Sequence, residues 1–284
     1  MNLITWNIQW CRGCDGAVDP ERIVSTAREM ADFDVLCLQE LARNFPGLPG
    51  SSGEDQFDAL ARLLPGYTAV KGVATDVLAP GGGRREFGNA LVTRLPVLQV
   101  CRHLLPWPAD PAAPGMQRSA VEAVLELPSG PLRVTTTHLE YYSARQREAQ
   151  VERLRELQTD GAGRALAPAR AEKEDGPFAA VPRPPSGILT ADFNFRPDDP
   201  LHARMQAPLG AGAPAYRDAW RLRHPDTPQP PTLGVHDKEQ WPEPAFACDF
   251  IFVTEDIAGR VEDVVVNGAT DASDHQPMLL VLRD

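Results

Sequence analysis

The sequence has no long apolar run, few cysteines and fewer basic than acidic residues. No hydrophobic stretch approaches the length that a transmembrane helix needs. The segment 3–6 already has the character of a strand, and no basic segment followed by an apolar stretch precedes it, so no signal peptide is predicted. From these absences we expect a cytoplasmic protein without a membrane span.

The cysteines do not suggest a disulfide framework. There are five, which is an odd number for a chain of 284 residues: Cys11, Cys14, Cys37, Cys101 and Cys248. The Cys11-x-x-Cys14 spacing could supply half of a zinc site, but the sequence contains no second pair of this kind. We therefore predict free thiols, with Cys37 inside an apolar strand.

The charge balance restricts the ligands that the chain is expected to bind. Lysine and arginine number 28 and aspartate and glutamate 39, so the net charge is −11. Because non-specific binding to nucleic acid depends largely on neutralising phosphates, this balance argues against a general binder of long duplex DNA. It does not exclude an active site that handles a single phosphate through a metal, since a bound cation reverses the local field.

Short apolar or β-branched segments predict strands at 2–6, 34–38, 67–73, 89–93, 119–127, 131–137, 187–191, 249–253, 261–266 and 277–282. Two longer helices are predicted between them. One begins after Asp19, which is a favourable N-cap followed by proline, and the other after Ser143, which has Gln146 at the capping-box spacing. A shorter helix is predicted from Gln56 to Leu64.

The order of these elements predicts an α/β (α+β) protein. Strands and helices alternate early, whereas 119–127 and 131–137 are separated only by a short turn and form a predicted hairpin. This combination favours two mixed sheets packed face to face with helices outside. We expect one domain over residues 1–284, with a flexible insertion at 160–186, where large apolar residues are almost absent.

Polar side chains stand at the ends of several predicted strands. They are Asn7, Glu40, Asn89, His138, Asp192, Asn194, Asp249, Asp274 and His275. Strand ends of one sheet system converge on one rim, where ligand sites are usually built. Hard divalent cations prefer oxygen ligands, and histidine changes its charge near neutral pH. The sequence therefore predicts a metal or phosphate site at this rim.

Seven short motifs occur in one order along the chain: Trp6-Asn7, Gln39-Glu40, Gly88-Asn89-Ala90, Thr137-His138-Leu139, Asp192-Phe193-Asn194, Asp249-Phe250-Ile251-Phe252 and Ser273-Asp274-His275. In these motifs and their order the chain resembles the endonuclease/exonuclease/phosphatase superfamily, whose fold is DNase I-like. The resemblance extends over essentially the whole sequence. It implies a four-layer sandwich, in which two mixed sheets are flanked by helices, and hydrolysis of phosphate esters with Mg²⁺ or, as the alternative, Mn²⁺.

The resemblance also implies roles for the residues at the strand ends. Glu40 resembles the principal metal carboxylate, and the residues implied at the metal are Asn7, Glu40, Asp192, Asn194, Asp274 and His275. Asp192 resembles the carboxylate that orients or deprotonates the attacking water. His275 resembles the catalytic histidine, Asp249 the acid that orients it, and His138 a second catalytic histidine that donates to a phosphoryl oxygen.

The substrate would contact a further set of residues. The resemblance implies that Asn194 and Asn89 lie at the phosphate, and His138 again belongs to this set. After His138, we expect Tyr141 and Arg147 to shape the substrate pocket. The sequence departs from the family pattern at Ala191, where many members have glycine, and at 247–248, where many have an arginine.

Three hypotheses follow from these residues. The leading one is a metal-dependent hydrolase that cleaves a phosphodiester or phosphomonoester by water attack. The substrate would be a small molecule, a lipid-like ester or a nucleic acid, and no obligate protein partner is expected. The first alternative is a DNA or RNA nuclease of the repair type. The second is a non-catalytic binding module on the same fold.

Overall fold

Twelve strands in the described residues form two six-stranded sheets. The computed structural model describes residues 1–168 and 176–284. The strands are β1 (Asn2–Asn7), β2 (Val35–Arg43), β3 (Thr68–Leu78), β4 (Arg84–Thr93), β5 (Val97–Leu104), β6 (Ser119–Leu127), β7 (Gly130–His138), β8 (Gly187–Asp192), β9 (Tyr216–Asp218), β10 (Asp249–Thr254), β11 (Val261–Val266) and β12 (Met278–Leu282). The helices are α1 (Pro20–Met30), α2 (Gln56–Leu63), α3 (Ala144–Leu166), α4 (Pro200–Gln206) and α5 (Ala219–Arg223).

Both sheets are mixed. The strand order is β11-β12-β1-β2-β4-β3 in the first sheet and β5-β6-β7-β8-β10-β9 in the second. Near the middle of each sheet lies one parallel pair, β1 with β2 and β7 with β8. The other neighbouring strands run antiparallel. The predicted mixed sheets are therefore confirmed.

Alternate side chains of β1 face different layers, as the two-residue period of a strand requires. Leu3 belongs to the core between the two sheets, which also contains Val121 of the second sheet. Ile4 and Trp6 point the other way and belong to the cluster that packs the first sheet against α1 and α2. A third cluster packs α3 against the outer face of the second sheet. The result is the four-layer sandwich that the family resemblance implies.

The predicted helix starts are confirmed by their caps. The side chain of Asp19 accepts hydrogen bonds from the backbone of Glu21 (2.9 Å) and Arg22 (3.1 Å) at the start of α1. Ser143 Oγ accepts from the backbone of Gln146 at 3.2 Å at the start of α3. None of the helices in the described residues is both long and apolar enough to cross a membrane.

The predicted insertion at 160–186 is only partly irregular. Residues 160–166 continue α3, and Gly161 and Ala162 of this stretch are buried. Glycine at position 161 leaves room for Arg133, whose guanidinium lies about where a Cβ would stand. Residues 169–175 lie outside the described residues, and 176–186 form no helix or strand. The flexible insertion at 160–186 therefore stays a prediction, with its first residues, 160–166, in α3.

Four short or exposed elements were missed from the sequence. Strand β5 lies at the edge of the second sheet and is only half-buried, so its apolar pattern is weak. Strand β9 has three residues, and helices α4 and α5 have seven and five, which is too short for a periodic signal. Their positions follow from packing on longer neighbours, not from their own sequence.

Candidate active site

The two parallel strand pairs place the polar strand ends at one rim. In β1 and β2, Asn7 pairs in register with Gln39, the neighbour of Glu40. In β7 and β8, His138 pairs with Asp192, and across the next pair Asp192 lies opposite Asp249. Because the sheets pack face to face, these ends meet. The geometry brings the catalytic set predicted from the sequence into one cluster.

Two residues of the cluster have a backbone conformation that is rare for residues other than glycine. Glu40 has φ 63° and Asn194 has φ 54°. At Glu40 the register of β2 with β4 shifts between Leu38 and Leu41, which marks a β-bulge. Such bulges redirect a side chain, and strained residues cluster at functional sites. The local fold therefore aims Glu40 at the rim.

Asn7 lies at the centre of the cluster. Its Nδ2 donates to Glu40 Oε1 at 3.1 Å and to Asp192 Oδ2 at 3.0 Å, and it lies 3.4 Å from His275 Nε2. Its Oδ1 accepts from the backbone nitrogen of Gln9 at 3.1 Å. The amide therefore separates two carboxylates that would otherwise repel each other. Coordination of a metal by Asn7 stays a prediction.

His275 forms a buried pair with Asp249. Its Nδ1 lies 2.9 Å from Asp249 Oδ2, and its Nε2 lies 3.6 Å from Asp192 Oδ2. Burial by itself would lower the pKa of His275, but Asp249, Asp192 and Asp274 outweigh it and hold that pKa well above the usual value. We therefore describe His275 as an imidazolium that points one N–H at each of two carboxylates.

His138 lies beside Glu40 and Asp192, and its pKa is shifted in the opposite direction to that of His275. Burial, together with the positive charges of Arg118 and His275, holds the pKa of His138 well below its usual value. Asn194 Nδ2 lies 2.9 Å from His138 Nε2 and also donates to the backbone carbonyl of Leu139; with the amide in this orientation, Nε2 accepts and the ring proton is assigned to Nδ1. The same Nε2 lies 3.4 Å from Asp192 Oδ2. His138 Nδ1 lies 3.7 Å from Glu40 Oε1.

The carboxylates of the cluster lack a positive partner of fixed charge. In the part of the chain that the structure describes, no lysine or arginine forms an ion pair with them, and the recorded partners are histidines. Burial, with help from Asp274, raises the pKa of Glu40 to about 7. Burial also raises the pKa of Asp192 to about 6, although His275 opposes it. A group of carboxylates whose only positive partners are histidines suits a divalent cation.

Asp274 has one oxygen that is already engaged. Its Oδ2 accepts from Gln9 Nε2 at 3.0 Å and from Trp241 Nε1 at 2.9 Å. Its Oδ1 has a longer contact, 3.3 Å, with Ser273 Oγ. Oδ1 is therefore the less engaged of the two oxygens. Gln9 and Trp241 were not recognised in the sequence, because they come from a short 3-10 turn and from a proline-rich loop without a motif.

Arg118 is a third residue that the sequence analysis missed. It is 7% exposed, and its Nε donates to Glu140 Oε2 at 3.2 Å. Its two terminal nitrogens have no hydrogen-bond partner in the described residues, and Arg118 lines a small recess together with Asn89 and His138. Asn89 itself donates to the backbone carbonyl of Ser119 at 3.0 Å. The available signal was the position of Arg118 just before β6.

The two residues predicted to shape the substrate pocket differ in their contacts. Arg147 Nη1 donates to the backbone carbonyls of Glu140 (2.8 Å) and Tyr141 (2.9 Å), so it supports the loop after β7. The Tyr141 side chain is 44% exposed at the rim. Tyr141 is therefore free to contact a ligand, whereas a direct contact from Arg147 stays a prediction.

Cysteines also lie near acidic and histidine side chains, but they are poor ligands here. Cys248 lies close to Asp192 and His275. Burial raises the pKa of its thiol well above the usual value, so the thiolate that a metal needs is disfavoured. In a separate group, Cys101 and His103 lie near Glu122, which already pairs with Arg133 and Arg183. All five cysteines are free thiols, as predicted.

Solved structures with the same architecture are known. A protein from Beutenbergia cavernae described as an endonuclease/exonuclease/phosphatase superposes with a TM-score of 0.70 at 23% identity, covering 100% of this chain and 71% of that one. A mannosyl-6-phosphatase from Bacteroides thetaiotaomicron gives 0.64 at 16% identity and covers 100% of both chains. A 3′ phosphatase from Neisseria, bound to a product DNA hairpin, gives 0.59 at 19% identity, also over 100% of both. These likenesses establish the fold.

The fold and the cluster at its rim define a protein with a phosphoesterase architecture. The sequence profile of the Endonuclease/Exonuclease/phosphatase family matches residues 4–275, and the chain belongs to this family. Members of the family are hydrolases that include phosphatases and nucleases, and they generally depend on divalent metals. No curated protein matches the sequence significantly.

Proposed function

We propose that the chain is a metal-dependent hydrolase that cleaves a phosphate ester by water attack, with Mg²⁺ as its cofactor. The observation that carries the proposal is the cluster in which Asn7 joins Glu40 and Asp192 while Asp249 holds a charged His275. A phosphate ester is a poor electrophile because its oxygens are anionic. Its hydrolysis therefore requires a cation, a positioned base and hydrogen-bond donors, and the cluster provides residues for each.

The residues fit a divalent cation. Glu40 and Asp274 Oδ1 would hold it, with the oxygens of Asp192 and the amides of Asn7 and Asn194 close by. One or two carboxylates with retained waters is the arrangement that Mg²⁺ prefers. When bound, the ion would neutralise charge on the phosphate and polarise a phosphoryl oxygen.

Asp192 is the proposed base. Asn7 and the backbone nitrogen of Asn194 each donate to it, at 3.0 Å, so its orientation is fixed. The pKa of about 6 leaves it mostly ionised at neutral pH yet basic enough to accept a proton from an attacking water. His275, held charged by Asp249, would stabilise the negative charge that develops on the phosphoryl oxygens.

His138 and Arg118 are the other proposed donors to the phosphate. The neutral His138 has its proton on Nδ1, from which it would donate to a phosphoryl oxygen. Arg118 keeps two terminal nitrogens unpaired in the described residues, and a guanidinium with free donors matches the geometry of a phosphate. In the described residues Arg118 forms no ion pair with the four carboxylates of the cluster and pairs with Glu140 instead.

The substrate would be a small phosphate ester or a nucleic-acid end. The net charge of −11 disfavours long duplex DNA. The two phosphatases among the similar structures, one acting on a mannosyl 6-phosphate as its name states and one bound to a DNA hairpin, are consistent with monoesters. A nuclease of the repair type is the second candidate, for which the second of these structures is the supporting observation.

The test is hydrolysis of p-nitrophenyl phosphate and bis-p-nitrophenyl phosphate with Mg²⁺, Mn²⁺ or chelator, beside a labelled oligonucleotide. We expect turnover that requires the metal and that falls at least about 100-fold in Glu40→Gln. Glu148→Gln, which alters an exposed carboxylate on α3, is the matched control. Turnover that persists in chelator, or full activity of Glu40→Gln, would contradict the proposal.

A further inference from the structure

Three aromatic side chains form a connected group at the rim of the site. Trp241 donates from Nε1 to Asp274 Oδ2 at 2.9 Å, which ties its indole to the proposed metal carboxylate. The Tyr141 ring lies 6.1 Å from the Trp241 ring at 79°, and the Tyr142 ring lies 4.8 Å from the Tyr141 ring at 83°. We refer to Tyr141, Tyr142 and Trp241 as the aromatic wall.

The aromatic wall joins the two sides of the site. Tyr141 follows His138 in the loop after β7, whereas Trp241 belongs to the loop that covers Asp274. The contact between the two rings therefore connects the proposed phosphate donor to the proposed metal carboxylate. A substrate group attached to a phosphate at the cluster would therefore extend beside these rings.

The wall exposes apolar surface on a rigid support. Tyr141 is 44% and Tyr142 is 62% exposed. The backbone beneath them is held by Glu140, which is fully buried, accepts from Tyr142 N at 3.1 Å and donates its own N–H to Gln150 at 2.8 Å. Arg147 donates hydrogen bonds to the backbone carbonyls of Glu140 and Tyr141. Exposed rings on a fixed loop beside a catalytic cluster are typical of a contact surface for a ligand.

The charges around the wall favour one ring over a polyanion. The two arginines in the first turn of α3 are engaged with the backbone, Arg145 with the carbonyl of Ala109 and Arg147 with those beneath the wall. A track for a nucleic-acid backbone would need free cations next to its stacking rings. With the net charge of −11, this arrangement favours a small ester that carries a single ring over a long polyanion.

We infer that the aromatic wall binds the alcohol part of the substrate, and that this alcohol carries a ring that stacks on Tyr141. This rests on the proposed phosphoesterase function and specifies its substrate class. Two sources offer such a ring, the base of a nucleotide and the C–H face of a sugar phosphate. Both offer a flat, weakly hydrated face, which is more stable packed against a tyrosine or tryptophan ring than exposed to water.

The experiment compares benzyl phosphate with n-butyl phosphate, whose alcohols are similarly poor leaving groups. We expect kcat/KM to favour the benzyl ester in the native chain, and Tyr141→Leu to reduce this ratio about tenfold. Tyr141→Phe keeps the ring and should keep the ratio. Phe178→Leu removes an exposed aromatic ring outside the wall and is the matched control. Adenosine 5′-monophosphate and glucose 6-phosphate then identify the source of the ring.

The outcomes separate this inference from the proposed function. If the esters are hydrolysed and Tyr141→Leu leaves the ratio unchanged, the wall does not bind the alcohol and the inference is overturned while the function stands. If no ester is hydrolysed, titration of adenosine and of methyl glucoside, each followed by tryptophan fluorescence, still decides. A saturable change with either ligand that is lost in Tyr141→Leu supports a ring site, and a change that is absent with both ligands or unchanged in the variant overturns it.

Discussion

Asp249 Oδ2 lies 2.9 Å from His275 Nδ1, and the other oxygen of Asp249 is buried without a hydrogen-bond partner in the described residues. A buried carboxylate with one unpaired oxygen is costly unless it is paired with a charge. The imidazolium of His275 supplies that charge. The pair therefore keeps His275 protonated and fixes its Nε2 toward Asp192, 3.6 Å away.

Replacing Asp249 by asparagine should lower activity and shift the pH profile. Asp249 is the largest influence that raises the pKa of His275, so its removal lowers that pKa. Because the proposed role of His275 requires the protonated form, the alkaline decline of kcat/KM should move to lower pH. We expect kcat/KM to fall about 100-fold at neutral pH, which steady-state kinetics over a pH series would measure.

A second aspartate–histidine pair provides the control for this prediction. His202 Nε2 lies 3.0 Å from Asp218 Oδ2, equally buried but at the outer side of the second sheet. Asp218→Asn should lower stability without moving the alkaline limb. The prediction fails if Asp249→Asn reduces kcat/KM by the same factor at every pH, because the aspartate would then act only on the fold.

Glu40 should destabilise the metal-free protein near neutral pH. Its pKa is raised from 4.5 to about 7, so the folded state binds more protons than the unfolded state between these values. Stability from this group is therefore present below pH 4.5 and is lost as pH rises toward about 7. The difference corresponds to about 3 kcal/mol, and the 18% exposure of the side chain reduces it to about 2 kcal/mol.

Glu40→Gln removes this penalty, and urea unfolding in chelator measures it. At pH 8 we expect the metal-free variant to be more stable than the native chain by about 2 kcal/mol, with the gain absent at pH 4. Adding Mg²⁺ should reverse the order, because only the native chain gains stability from binding. A variant that is less stable than the native chain in chelator at pH 8 would show that Glu40 has a compensating partner.

Most of the fold and the predicted cluster could be inferred from the sequence, for local reasons. The apolar segment at 2–6 and the β-branched run before His138 each predict a buried strand from only a few residues. Asn7 and Asp192 directly follow such segments, so their place at a rim was set by strand direction alone. The inferred cluster therefore depends on short-range pattern, together with seven motifs whose order points to one fold.

The residues that were missed depend on contacts between distant parts of the chain. Gln9 reaches Asp274 across 265 positions, and Trp241 reaches the same carboxylate from a loop that has no periodic pattern. Arg118 is held at the site only because its Nε donates to Glu140, which lies just after the end of β7. Gln9 and Trp241 are ordinary in their own segments, and the only local signal for Arg118 is its position just before β6.

Trp241 should influence metal binding through Asp274. The indole N–H of Trp241 and the amide of Gln9 both donate to Asp274 Oδ2. These bonds fix the orientation of the carboxylate and leave Oδ1 for the proposed cation. Partners that orient a ligand in this way typically change metal affinity by about 10- to 100-fold. Trp241→Phe keeps an aromatic ring in the wall but removes the donor, so we expect the Mg²⁺ concentration for half-maximal activity to rise about tenfold.

Calorimetric titration of Mg²⁺ into the same variant separates binding from turnover. Trp220→Phe is the control, because Trp220 Nε1 donates to the backbone carbonyl of Thr227 at 2.8 Å, away from the site. The control should lose stability but keep its Mg²⁺ affinity, since no bond to Asp274 is broken. An equal loss of affinity in both variants would assign the effect to the fold. Unchanged affinity in Trp241→Phe would leave Gln9 as the residue that orients Asp274.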